Sequence, residues 1–331
     1  MKLNLSTRTI SLIVAGIFIF FYGLGVYWSI EPDSIDIKKE VTMAAQAENV
    51  APVVGYTTTT ALIKVAETLL NKPGGYLAND ALPPSVFLDN MPAWEFGVLE
   101  MVRDMALVMR KDFSRSQSQS LVNEHLKEAQ PRFNINHKNW AMPSAESEYS
   151  KAIKSLYNYR AGLVNINGQE KAQFYARADN LRAYIEEVQK RLGSYSHRLS
   201  SSVGRDQINT DLAGDSKAQQ SSSAASQLQL KTSWWQIDDV FYEARGASWA
   251  LLQLLKAVEI DFDSVLTNKN AKISLQQIIR ELEASQQTLW SPMVLNGDGF
   301  GVLANHSLVM ANYISRANAA LIDLNELLSK G

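Results

Sequence analysis

The densest chemistry in the sequence lies in one run, Trp-Trp-Gln-Ile-Asp-Asp-Val-Phe-Tyr-Glu-Ala-Arg-Gly, residues 234–246. On a helix Asp239 and Glu243 are four residues apart and share a face. Paired carboxylates can hold a divalent cation or divide acid and base roles, so Asp238, Asp239 and Glu243 open the reading of a metal-assisted hydrolase. A di-metal bundle, however, wants Glu-x-x-His repeats on facing helices, and the sequence has none. A simpler account is available. Acids in a first turn complement the positive end of the helix dipole, and Glu243 pairs with Arg245 or a neighbouring helix. Trp234 and Trp235 then either cap the end of a bundle or, with Asp238, Asp239 and Glu243, form a partner-binding surface.

The remaining motifs carry less. Asn296-Gly297-Asp298-Gly299-Phe300-Gly301 is glycine-rich and precedes a helix, as a phosphate cradle would. It lacks the Lys-Ser/Thr of a P-loop and has no strand before it, so it reads as a loop between helices. The four histidines, at 125, 137, 197 and 306, have no metal-ligand spacing, and His306 has no acid nearby to complete a triad. Met91, Met101, Met105 and Met109 suit gap-filling in a core, with a promiscuous groove as the alternative. The absence of cysteine excludes disulfides, thiol catalysis and thiolate metal sites. No cofactor and no metal is called for.

The elements that must position these residues read as helices. Phe174, Ala178, Leu181, Ile185, Val188, Leu192, Tyr195 and Leu199 step by four and three without a break. The same spacing runs from Trp94 to Val108, from Tyr149 to Leu163, from Ile237 to Val258 and from Leu303 to Leu328. Shorter helices are expected over 57–71, ended by Lys72-Pro73-Gly74-Gly75, before Pro131, and over 275–289. Alternating β-branched runs with hairpin turns are missing. The fold class is therefore all-α, a long-helix antiparallel bundle. Residues 200–231, rich in Ser, Gln, Ala and Asp, predict a flexible loop.

Ahead of the bundle lies an apolar stretch. No charge occurs between Arg8 and Glu31. About 22 residues at 1.5 Å each span roughly 33 Å, enough to cross a hydrocarbon core of about 30 Å. Tyr22, Tyr27 and Trp28 gather at its far end, as aromatic rings do at a membrane interface. The sequence after it is a poor cleavage site, which predicts a retained anchor. The expected organisation is a short cytoplasmic tail (1–8), a transmembrane helix (9–30), a tether (31–56) and a helical periplasmic domain (57–331). Lys2 and Arg8 favour an N-terminus inside, although Lys38 and Lys39 nearly balance them. With 32 basic against 34 acidic residues, the chain has no basic excess for nucleic acid.

The tail, the anchor, Trp28-Ser29-Ile30-Glu31-Pro32, the segment Leu88–Gly97 (Leu-Asp-Asn-Met-Pro-Ala-Trp-Glu-Phe-Gly), Arg103-Asp104 and the run at 234–246 together resemble an uncharacterised family of gammaproteobacterial single-pass membrane proteins, domain of unknown function family 2333. That resemblance covers nearly the whole chain. It implies an inner-membrane setting and transfers no activity, cofactor or site residue. The function expected is that of a non-catalytic cell-envelope protein, a scaffold, adapter or regulator of an envelope partner, which meets lipid through its anchor. The alternatives are a ligand-sensing bundle and the metal-assisted hydrolase.

Overall fold

The computed structural model describes residues 7–116, 120–165, 171–208, 227–291, 293–298 and 301–330. Their elements are α1 (Thr7–Trp28), α2 (Ile37–Glu48), α3 (Tyr56–Asn71), α4 (Asn90–Val108), α5 (Glu124–Phe133), α6 (Ala145–Val164), α7 (Ala178–Ser200), the strands β1 (Arg205–Ile208) and β2 (Gln227–Leu230), α8 (Ile237–Asp261), α9 (Asp263–Asn268), α10 (Lys272–Ser285) and α11 (His306–Ser329). The fold is a packed helical bundle with one apolar helix at its N-terminus. α1 is 22 residues long and apolar enough to cross a membrane, and nearly all of it is exposed.

Helix α2 corrects the expectation of a tether over 31–56. Asp36 caps it by accepting from the Lys39 amide at 3.1 Å, and Ile37, Val41 and Ala45 bury one narrow stripe against the core. Three apolar positions among Lys and Glu give too faint a period to read, and such a short helix depends on tertiary packing. α3 begins at Gly55, which has no side-chain cap of its own. Its N-terminus is closed from a distance by Asp261, the last residue of α8, whose carboxylate accepts from the Thr58 amide at 2.6 Å. Burial raises the Asp261 pKa, and the hydrogen bonds from Thr58 oppose that shift.

Most neighbouring helices alternate in direction as expected. α3 and α6 are antiparallel, with Thr60 beside Arg160 and Glu67 beside Tyr157. α5 and α6 join Arg132 to Glu148 and Glu128 to Ser155, and α7 and α11 join Arg182 to Asn325. The central pair departs from this pattern. α4 and α8 advance together, so that Trp94 packs on Trp249 (ring centroids 5.2 Å apart) and, beyond the end of α4, Phe113 packs on Phe262 at 5.1 Å. Their backbones touch at two glycines. A Cβ on Gly97 would lie 2.8 Å from the Ala247 nitrogen, and one on Gly246 would lie 2.8 Å from the Trp94 carbonyl carbon. Both contacts are far inside van der Waals separation, so only glycine permits this crossing.

A buried ion pair ties the loop after α3 to α4. Lys72 Nζ lies 2.5 Å from Glu95 Oε1, and both side chains are fully enclosed. Glu95 also accepts from the amides of Leu77 (2.9 Å) and Ala78 (2.8 Å). Burial pushes the Glu95 carboxyl up to about 7, against the pull of Lys72 and these amides. The methionines at 91, 101, 105 and 109 are all buried, which is the gap-filling role.

Several boundaries move. α5 runs past Pro131 to Phe133. α7 starts at Ala178, because Phe174 lies ahead of the helix in an aromatic cluster with Phe113 and Phe262. Within the expected loop at 200–231, residues 205–208 pair antiparallel with 227–230, Arg205 opposite Leu230. Residues 209–226 of that loop, and most of the expected tail at 1–8, lie outside the described residues.

Candidate functional site

The chain leaving α1 does not swing free. Gly25, in the last turn of α1, lies against Pro84 and Leu88 of the loop before α4. Trp28 closes over Gly74, whose φ of +84° and missing Cβ make room for the indole. Glu31 then forms a forked pair with Arg245 of α8, whose Nε donates to both carboxylate oxygens at 2.8 and 2.7 Å. Two further contacts follow. Trp249 Nε1 donates to the Asp33 carbonyl at 3.1 Å, and Gln253 Nε2 donates to the Ser34 hydroxyl at 3.2 Å. Residues 31, 33 and 34 thus grip three successive turns of α8.

Arg245 is the centre of this junction. It is only 6% exposed, and its other nitrogens donate to the carbonyls of Ser285 (3.1 Å) and Gln287 (3.0 Å) at the end of α10. One guanidinium therefore joins the segment leaving α1, α8 and the C-terminus of α10. Its planar fork and fixed charge suit it to this buried role. Sequence reasoning missed the pair. The available signal was an arginine amid Ala244, Gly246 and Ala247, since a buried cation must find an acid.

The five expected site residues separate in the structure. Trp234 and Trp235 are exposed and stack edge to face at 4.9 Å ahead of α8. Glu243 is taken: both its oxygens accept from Arg198 of α7 at 2.6 Å. The partner is thus a neighbouring helix rather than Arg245. That pairing removes Glu243 from any acid–base couple with Asp239. Among the described residues no group of three or more His, Asp or Glu side chains is placed to hold a metal ion.

Asp239 remains open. Burial, with Asp238, Asp89 and Glu243 nearby, pushes its carboxyl up to about 6 from an ordinary 3.8. The folded chain thus keeps this proton to higher pH than the unfolded chain does. Its contribution to stability is complete below pH 3.8 and is lost as pH rises through 6. Asp239→Asn should leave stability near pH 4 unchanged and raise it at pH 8, read as urea midpoints at the two values.

The other motifs are absorbed by structure. His306 Nδ1 accepts from the Leu295 amide at 2.8 Å. At the start of α11 the amides of Ser307 and Leu308 donate to Asn296 and Asn305, so these would-be anion donors are occupied. Residues 299 and 300 of the glycine-rich loop lie outside the described residues. A groove of about 1050 Å³ runs between α2, α8 and α10. Ile35, Val41, Ile260 and Ile279 line it, beside the Lys256–Glu283 ion pair at 2.8 Å.

Fold and junction together define a helical bundle packed at the end of one N-terminal helix able to cross a membrane. The chain belongs to the family described as "Uncharacterized protein conserved in bacteria (DUF2333)", whose model matches residues 2–331, the family that the sequence resembled. Comparison with curated proteins and with solved structures gives no match.

Proposed function

We propose that this is a single-pass bacterial inner-membrane protein with a cytoplasmic N-terminus and a periplasmic helical domain, acting without catalysis as scaffold, adapter or regulator of an envelope protein. One observation carries the reading. The domain is clamped to the end of its anchor by Glu31–Arg245, Asp33–Trp249 and Ser34–Gln253. A clamp of this kind presents the domain's surfaces to a neighbouring protein at fixed height and orientation, a geometry that a flexible tether would squander. Lys2 ahead of α1 and Arg8 in its first turn support the orientation.

The groove between α2, α8 and α10 favours a second reading, a ligand-sensing bundle. Its volume of about 1050 Å³ lies just above the ~300–1,000 Å³ of small-molecule sites. Two measurements test the proposal. A C-terminal reporter active only outside the cytoplasm should be active, and cytoplasmic activity would reverse the placement. Photo-crosslinking in the native membrane from the exposed flanks of the domain should recover one reproducible envelope protein. Recovery of none, together with a small molecule retained in the groove, would favour sensing.

A further inference from the structure

We infer that the end of the bundle from which α1 emerges is itself seated in the membrane interface, through a rim of exposed aromatic and apolar side chains that contacts lipid. This rests on α1 being the anchor, as proposed above.

Residues 7–23 of α1 are exposed throughout, and domain contact begins only in its last turn, with Gly25 buried. At 1.5 Å per residue those 17 residues span about 25 Å, most of a hydrocarbon core of about 30 Å. Counted from Thr9, a core of about 30 Å takes about 20 residues and ends near Trp28. Whatever packs on Gly25 is therefore at the outer boundary of the core. Pro84 and Leu88 do so, each 3.7 Å from a Cβ position there. On either side of Pro84 the same loop turns Leu82 (76% exposed) and Phe87 (78%) outward.

The rim continues around this end. Asp89 follows Leu88, caps α4 and faces Asp239 in the first turn of α8. Trp234 and Trp235, just ahead of that turn, are about three-quarters exposed. Gln287, which holds Arg245 and through it Glu31, leads to Trp290, 92% exposed. Lys138 also faces Asp239, and Trp140 close by is exposed. Of seven tryptophans in the chain, Trp94 and Trp249 are buried in the core. Trp28 and the four exposed ones all belong to this end. Exposed apolar patches of this extent mark contact surfaces, and tryptophan is the side chain that prefers the boundary of lipid and water. Lipid is the occupant because α1 fixes this end against the bilayer.

The absence of cysteine allows single-site labelling of the full chain in nanodiscs of phosphatidylethanolamine and phosphatidylglycerol. An environment-sensitive fluorophore on Phe87→Cys or Trp235→Cys should lose about half its emission to headgroup-region spin-labelled lipid and resist aqueous iodide. Ile273→Cys on α10 should show the reverse, and Phe18→Cys in α1 should be quenched by lipid spin-labelled in its acyl chain. Iodide quenching at both 87 and 235, with Phe18→Cys still quenched by lipid, would overturn the inference and leave the anchor standing. Protection from both quenchers would overturn it in favour of a second copy of the chain. Loss of lipid quenching at position 18 would remove the anchor itself.

Discussion

Gly246→Ala should lower the unfolding free energy of the domain by about 2–3 kcal/mol, the upper part of the usual overpacking range. Helix propensity alone predicts the opposite sign, since alanine is favoured over glycine by about 1 kcal/mol within a helix. Steric contact decides the outcome. The new methyl would meet the Trp94 carbonyl, which is backbone within α4 and cannot rotate away. Relief requires α4 and α8 to separate along a contact that includes the Trp94–Trp249 and Phe113–Phe262 pairs. Gly97→Ala should behave alike, because its methyl would strike the backbone of residues 243 and 247. Gly193→Ala in α7 is the control. Its nearest neighbour is a side-chain nitrogen of Asn318 at 3.8 Å, so propensity should act unopposed and stabilise by about 0.5–1 kcal/mol. Urea denaturation of the three variants reads all of these.

Arg245→Ala should cost about 3 kcal/mol, the lower end of the ~3–5 for breaking a buried pair. The lower end applies because the Glu31 side chain keeps about a quarter of its surface in solvent. The loss also strands the carbonyls of Ser285 and Gln287, which receive their hydrogen bonds from this guanidinium. Arg245→Lys should restore little, since a single ammonium cannot serve a carboxylate and two carbonyls from fixed directions. Denaturant midpoints of the purified full chain measure both variants.

Much of the bundle was legible because its helices bury one face. The stripe of α7 reads plainly, and its Leu181, Ile185, Val188, Leu192, Tyr195 and Leu199 are all in the core. What escaped has physical causes. α2 buries three side chains and owes its existence to α3 and α8. Pairing of 205–208 with 227–230 joins two four-residue segments across an intervening stretch; Gln-Leu-Gln-Leu alternates, but over too few residues to read, and Arg-Asp-Gln-Ile does not alternate. The parallel course of α4 and α8 depends on the path of the chain between them, which side-chain spacing does not encode. Glu31 and Arg245 are 214 positions apart, beyond any local pattern. The candidate site was half visible. The Trp-Trp-to-Gly run and the segment Leu88–Gly97 stand out in the sequence, and in the structure they meet. Trp94 packs beside Gly246, Gly97 against Glu243, and Glu95 holds Lys72. Their chemistry had suggested a metal or a catalytic carboxylate. Glu243 instead binds α7, the tryptophan pair is exposed, and Asp238 and Asp239 are partly exposed.

The contacts of Glu31, Asp33 and Ser34 with α8 fix the domain to the end of α1 rather than tether it. Pulsed electron paramagnetic resonance between nitroxides on Val26→Cys and Ile273→Cys, both exposed positions in a chain without native cysteine, tests it in nanodiscs. The clamp predicts one narrow distance distribution that broadens when Arg245→Ala is added. A broad distribution in the otherwise native chain, unchanged by that substitution, would contradict it.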